Sequence, residues 1–119
     1  MSTDASRLRI TDHDGITLVG FVDRNILDEA NIQRIGEEID ELIDTVEQPR
    51  LLIRFDNVDH LSSAALGTLI TINNKIRSRD GQLRLANIDP QIYEVFVITK
   101  LNKLFQIFDT AEEALESFT

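Results

Sequence analysis

Two adjacent hydroxyls, Ser62 and Ser63, stand at the head of a patterned segment that runs to Arg79. Serine is among the preferred helix N-caps, where it accepts a backbone N–H and contributes about 1 kcal/mol. One of the pair is expected to cap; which one the local sequence leaves open. Nucleophilic catalysis would need a base in reach, and the two histidines, His13 and His60, each stand alone in turn-like surroundings. No Ser-His-Asp set can be assembled, and there is no HExxH-type metal pattern. No Walker loop or GxGxxG is present to cradle a phosphate. The chain has no Cys, which excludes a disulfide framework, a thiolate zinc site and cysteine catalysis. The carboxylates are plentiful, but most fall on one helix face. The expectation is therefore no catalytic residue, no metal and no cofactor.

The elements that position these residues follow from periodicity. Residues 7–11 (RLRIT) and 16–22 (ITLVGFV) are β-rich and flank Asp12-His13-Asp14-Gly15, a hairpin with an Asp-Gly turn. Gly20 is a soft spot in the second strand. From Asp28 to Val46, Ile32, Ile35, Ile39, Leu42, Ile43 and Val46 recur at three- and four-residue steps, the mark of an amphipathic helix that Pro49 then ends. Arg50 to Phe55 (RLLIRF) reads as a central strand covered on both faces. Asp56 to Leu61 is a loop, in which Asn57 and Asp59 serve either internal hydrogen bonds or a partner. The helix after it places Leu66, Leu69, Ile70, Asn73 and Ile76 on one side. Lys75, Arg77 and Arg79 suit its negative C-terminal end. Gln82 to Ala86 is a strand. Asp89-Pro90 caps a helix running to about Lys100, with Ile92, Val95, Phe96 and Thr99 spaced to face inward. Tyr93 and Val97, four apart and off that face, form a candidate association patch. Leu104 to Phe108 is a last strand, and Asp109 or Thr110 caps a short helix with Ala111, Leu115 and Phe118 inside. The order ββαβαβαβα predicts an α/β domain: a mixed sheet of four to five strands with about four helices.

The whole composition agrees. The 119 residues suit one domain, 1–119, with residues 1–6 flexible. Apolar residues make up 42% and charged residues 28%, a globular balance. A net charge of −9 disfavours binding nucleic acid by charge. It is uneven: residues 28–47 carry eight acidic side chains against Arg34 alone, whereas residues 72–104 are enriched in Lys and Arg. Such asymmetry can orient a protein partner. The opening MSTDASRLRI holds no apolar stretch of secretory length, and no run is long enough to span a bilayer. The chain is expected in the cytoplasm, with no direct membrane insertion.

Three stretches together resemble the STAS domain family, in its anti-sigma factor antagonist branch. GFVDRNILDEANIQRIGEEIDELI at 20–43 is similar to the family's strand end, "G-x-hydrophobic-D", and the amphipathic helix after it. RLLIRFDNVDHLSSAALGTLI at 50–70 resembles its buried strand and its "D-S-S/T-G-L-G-x-L" helix start. DGQLRLANIDPQIYEVFVITKLNKLFQIFDTAEEAL at 80–115 resembles its later strands and its closing "x-F-x-T-x-x-E-A-L". The match covers nearly the whole chain in order.

The resemblance implies the antagonist-like STAS fold and a non-catalytic regulatory role, binding an anti-sigma factor or serine protein kinase. In antagonists a serine at the start of the second helix is phosphorylated and partner binding is lost. A phosphate adds about −1.5 to −2 charges to the docking surface, and a partner fitted to the neutral surface would be repelled or sterically excluded. Aligned on Leu66-Gly67, Ser62 takes the family's Asp position, Ser63 matches its first Ser, Ala64 replaces the usual acceptor, and Ala65 replaces Gly. Ser63, then Ser62, are the remaining acceptors. Asp23, Asn25, Asn57, Asp59, Ser62, Ser63, Ala64, Ala65 and Leu66 are expected at the partner surface. The family also includes scaffold subunits that assemble with one another, hence homo-oligomers, and soluble subunits of transporters.

Overall fold

The computed structural model describes residues 8–118; the expected flexibility of residues 1–6 lies outside them. β1 (Leu8–His13) and β2 (Ile16–Phe21) form the hairpin. Asp14 and Gly15 both take positive φ, 52° and 85°, the primed turn that Asp-Gly favours. Asp12 and His13 therefore pair into the ladder, opposite Thr17 and Ile16, instead of forming part of the turn.

A short β3 (Asn25–Ile26) leads to α1 (Glu29–Asp44). Asp28 caps the helix, its Oδ2 accepting from Asn31 N at 3.1 Å. Ile32, Ile35, Ile39 and Ile43 are buried, each contributing about 1.5–3 kcal/mol by leaving water. The stripe ends earlier than its spacing predicts. Thr45 takes the C-cap, its Oγ1 donating to Leu42 O at 2.7 Å, and Val46 is exposed.

The chain continues through β4 (Arg50–Arg54), β5 (His60–Leu61), α2 (Ser63–Ser78), β6 (Gln82–Ala86) and α3 (Pro90–Ile98). A 3₁₀ turn at Leu101–Lys103 precedes β7 (Gln106–Phe108) and α4 (Ala111–Glu116). Leu104 caps that turn and Phe105 follows it in a bend, so β7 is shorter than the expected strand from Leu104 to Phe108.

The strands lie in the order β1-β2-β4-β6-β7. β1 is antiparallel and the remaining neighbours are parallel. This is the mixed five-stranded sheet with four helices that the pattern predicts. Leu51, Ile53 and Leu85 face one layer with the isoleucines of α1 and with Leu66, Leu69, Ile72 and Ile76 of α2. Leu52 and Ala86 face a smaller core under α4, built on Ala114, which lies outside the predicted inner set, and bordered by Ala111, Leu115 and Phe118. Arg84 sits in this second layer. Its Nε donates to Ser117 Oγ at 3.0 Å, its guanidinium lies 4.9 Å from the Phe118 ring centroid, and burial pushes its pKa below the ordinary arginine value.

α3 departs from its expected register. Ile92 and Phe96 are buried, Phe96 edge-on to Phe105 at 5.9 Å. Val95 and Thr99, spaced to face inward, are exposed. The nine-residue helix touches the core along one narrow edge, and Thr99 serves the C-cap, its Oγ1 donating to Val95 O. The exposed apolar surface is accordingly broader than Tyr93 and Val97 alone. It includes Val95 and Ile98, the latter 78% exposed.

Candidate functional site

β3 and β5, both read as loop in the sequence, pair in parallel, with Asn25 opposite His60 and Ile26 opposite Leu61. Asp59 N and His60 N donate to Arg24 O at 2.7 and 3.2 Å, and Ser62 N donates to Ile26 O at 3.1 Å. Ile26 and Val58 anchor the pair beneath, each 2% exposed. The segment after β2 is thus stitched to the segment that delivers the head of α2.

Side chains lock the same junction. The Arg24 guanidinium holds Asp59 through Nε and Nη2, both at 2.9 Å from Oδ2. His60 Nδ1 and Asn25 Oδ1 are 2.8 Å apart. Asn57 Nδ2 donates to Val22 O at 3.0 Å, and Asp23 Oδ2 accepts from Asn31 Nδ2 at 2.9 Å. Asn57 and Asp59 therefore serve internal hydrogen bonding, one of the two roles open to them. Asp23 and Asn25 belong to the same network, which orders the tip of the domain.

On that support the two serines divide. Ser62 has the extended backbone of an N-cap, φ −82° and ψ 166°, and its Oγ accepts from Ala65 N at 3.3 Å. Ser63 is the first helical residue, exposed, with no hydrogen bond from its hydroxyl among the described residues. The first turn holds no acidic residue, so the positive end of the helix is uncompensated where Ser63 stands. Ala64 is exposed beside it. Ala65 and Leu66, expected at the partner surface, turn inward and are 5% and 6% exposed. The reason is the helical period: one residue past the exposed Ser63-Ala64 step, the chain faces α1.

The charge asymmetry is partly spent inside the molecule. Lys75 Nζ donates to Asp40 Oδ1 and lies 2.9 Å from Asp44 Oδ1, and Arg79 Nη1 reaches Asp44 at 3.1 Å. These pairs join α1 to α2. The hydrogen bonds that Lys75 donates to the carboxylates of Asp40 and Asp44 raise its pKa above its ordinary value.

The sequence matches the family model "STAS domain" over residues 7–114. The chain belongs to the STAS domain family. Among STAS relatives, the anti-sigma F factor antagonist of Paenibacillus polymyxa is 20% identical over 109 residues, 92% of either chain. An anti-sigma-factor antagonist (STAS) domain protein from Planctomyces limnophilus superposes with a TM-score of 0.84 at 21% identity, over 92% of this chain and 96% of that one. The Bacillus cell fate determinant SpoIIAA in its phosphorylated form gives 0.69 at 18% identity, over 92% and 96%. The STAS fold of this chain is shared with these antagonists, and also with the sulfate transporter family protein from Wolinella succinogenes, at a TM-score of 0.71 and 13% identity over 89% of this chain and 86% of that one. Among its described residues no helix is long and apolar enough to cross a membrane.

Proposed function

We propose that this STAS domain is an antagonist that docks on an anti-sigma factor or serine protein kinase through the tip formed by β3, β5 and the head of α2, and that phosphorylation of Ser63 releases it. The observation that carries the reading is the division of labour between the serines. The cap occupies Ser62 Oγ, whereas Ser63 offers an exposed hydroxyl at the positive end of a sixteen-residue helix. A phosphate there would be received by the helix end and would still place about two negative charges on the docking surface, repelling a partner fitted to the unphosphorylated form. Ala64, in the usual acceptor position, leaves close access to the hydroxyl beside it.

Mass spectrometry after incubation with the cognate kinase and ATP tests this directly. Phosphate is expected on Ser63, together with loss of binding in a pull-down. Tight binding with no phosphate on either serine overturns the switch and makes the chain a constitutive binder. Ser63→Asp is expected to weaken binding at least tenfold while changing stability by no more than about 1 kcal/mol, since the added charge sits at a favourable helix end.

A further inference from the structure

Among the described residues, the sheet face opposite α1 and α2 is only partly covered. α4 packs on β4, β6 and β7, and the small core beneath it takes in Ile16 and Leu18 of β2; of the described residues none covers β1, the Gly20 end of β2 or the Arg54 end of β4. One row of the sheet crosses that open region. Arg9 of β1 pairs with Gly20 of β2, and Gly20 pairs with Arg54 of β4. Strands lie about 4.8 Å apart, so two guanidinium-bearing residues flank a position that has no side chain. The next row supplies Thr11 opposite Leu18. Together these residues and Asp56 border a concavity of about 270 Å³.

Packing does not demand the glycine. A Cβ built on Gly20 comes no closer than 4.0 Å to any neighbour, the nearest atoms being the Cβ and carbonyl oxygen of Arg9, and its φ is not positive. Glycine weakens a strand by its excess freedom and its missing contacts, yet here it leaves open the slot between the arginines. Their charge is incompletely used. Arg54 meets Asp56 through Nη2 at 3.3 Å, and its Nε is buried with no hydrogen-bond partner among the described residues. Arg9 makes no ion pair among them. In a protein of net charge −9, two arginines converging on an empty slot are a local reversal of sign.

We propose that this Arg9-Gly20-Arg54 row is a binding site for a small phosphate monoester. Paired guanidiniums match a phosphate's oxygens through charge-assisted hydrogen bonds. The concavity has the volume of a small molecule, and Thr11 and Asp56 can meet a hydroxyl or amine on the organic part. The site lies on the opposite face of the sheet from α1 and α2, so it stands or falls independently of the Ser63 switch.

The test is an NMR titration of the full chain with phosphoserine and with inorganic phosphate, at constant ionic strength, following backbone amides and arginine Nε–H signals. Saturable shifts at Gly20, Arg9 and Arg54 are expected with phosphoserine. Arg54→Met should weaken binding at least tenfold, and Arg9→Met similarly. Gly20→Val should abolish the shifts while the melting temperature stays level or rises, because valine suits a strand and its Cβ comes no closer than 4.0 Å to a neighbour. Arg9→Met serves as the second reading should Gly20→Val fold poorly. Shifts that grow linearly without saturation, spread over every arginine, or persist in both methionine variants overturn the proposal. Saturation by inorganic phosphate as tight as by phosphoserine overturns the monoester as the ligand.

Discussion

At the scale of single residues, the site turns on one atom's commitment. Ser62 Oγ serves the backbone and Ser63 Oγ does not, although the residues are chemically identical neighbours. Substitution should separate them. Ser62→Ala removes a cap and is expected to lower stability by about 1 kcal/mol, with phosphorylation of Ser63 retained. Ser63→Ala is expected to leave the denaturation midpoint within about 0.5 kcal/mol of the parent while abolishing phosphate incorporation. Chemical denaturation and intact-mass measurement on both variants check this, and the reverse pattern would reassign the roles. That a serine pair would head a helix was legible from N-cap preference and the apolar period behind it. Which serine caps was not, because both satisfy the same preference. The choice depends on where Ile26 O receives the Ser62 N–H, a contact across 36 residues of chain.

At the scale of elements, α1 and α2 are joined by isoleucine packing on the inside and by the Lys75, Arg79, Asp40 and Asp44 cluster outside. Lys75 titrates above its ordinary value in the folded state. Its contribution is thus fully present below the unfolded value of 10.5 and is lost as pH rises through the raised folded value. Lys75→Met should therefore melt below the parent at pH 7. The difference should close above pH 10.5, and a gap independent of alkaline pH would show that charge is not its cause. α3 makes a different case. Its exposed Tyr93, Val95, Val97 and Ile98 bear on the association surface suggested by Tyr93 and Val97. Tyr93→Lys with Val97→Glu should leave the fold intact and weaken self-association or partner capture at least several-fold. Unchanged sedimentation and unchanged binding would make the patch incidental.

At the scale of the whole molecule, one sheet separates two surfaces with different characters. The tip of β3, β5 and α2 is rigid behind and exposed in front, as suits docking. The concavity at Arg9, Gly20 and Arg54 is recessed and, among the described residues, locally basic. Neither arrangement brings a nucleophile, a base and an oxyanion-binding pair into one pocket. Purified protein is therefore expected to turn over no ATP and to hydrolyse no ester above the uncatalysed rate. Saturable turnover that follows the protein through successive columns would contradict this. A pull-down from source lysate addresses the rest: an ATPase of histidine-kinase fold supports the antagonist, other STAS proteins a scaffold, a transporter ATPase a soluble transport subunit.

What the sequence determined by itself is what local sterics and the exclusion of water dictate within one segment. The isoleucine spacing of α1, the Asp-Gly hairpin turn, the buried run of β4 and the Asp-Pro start of α3 each favour one conformation over neighbouring alternatives, so periodicity was enough to order the elements and imply the mixed sheet. What tertiary structure alone decided concerns residues distant in the chain. The pairing of β3 with β5 has no period to announce it, since two-residue strands form only because Ile26 and Val58 are buried beneath them. The exposure of Val95 depends on how narrow an edge α3 presents to Phe105, not on its own spacing. The row Arg9-Gly20-Arg54 exists only in the register of three strands. Register is set by which face each strand buries, and a slip of one residue in any of the three strands would turn that strand's member of the row to the other side of the sheet.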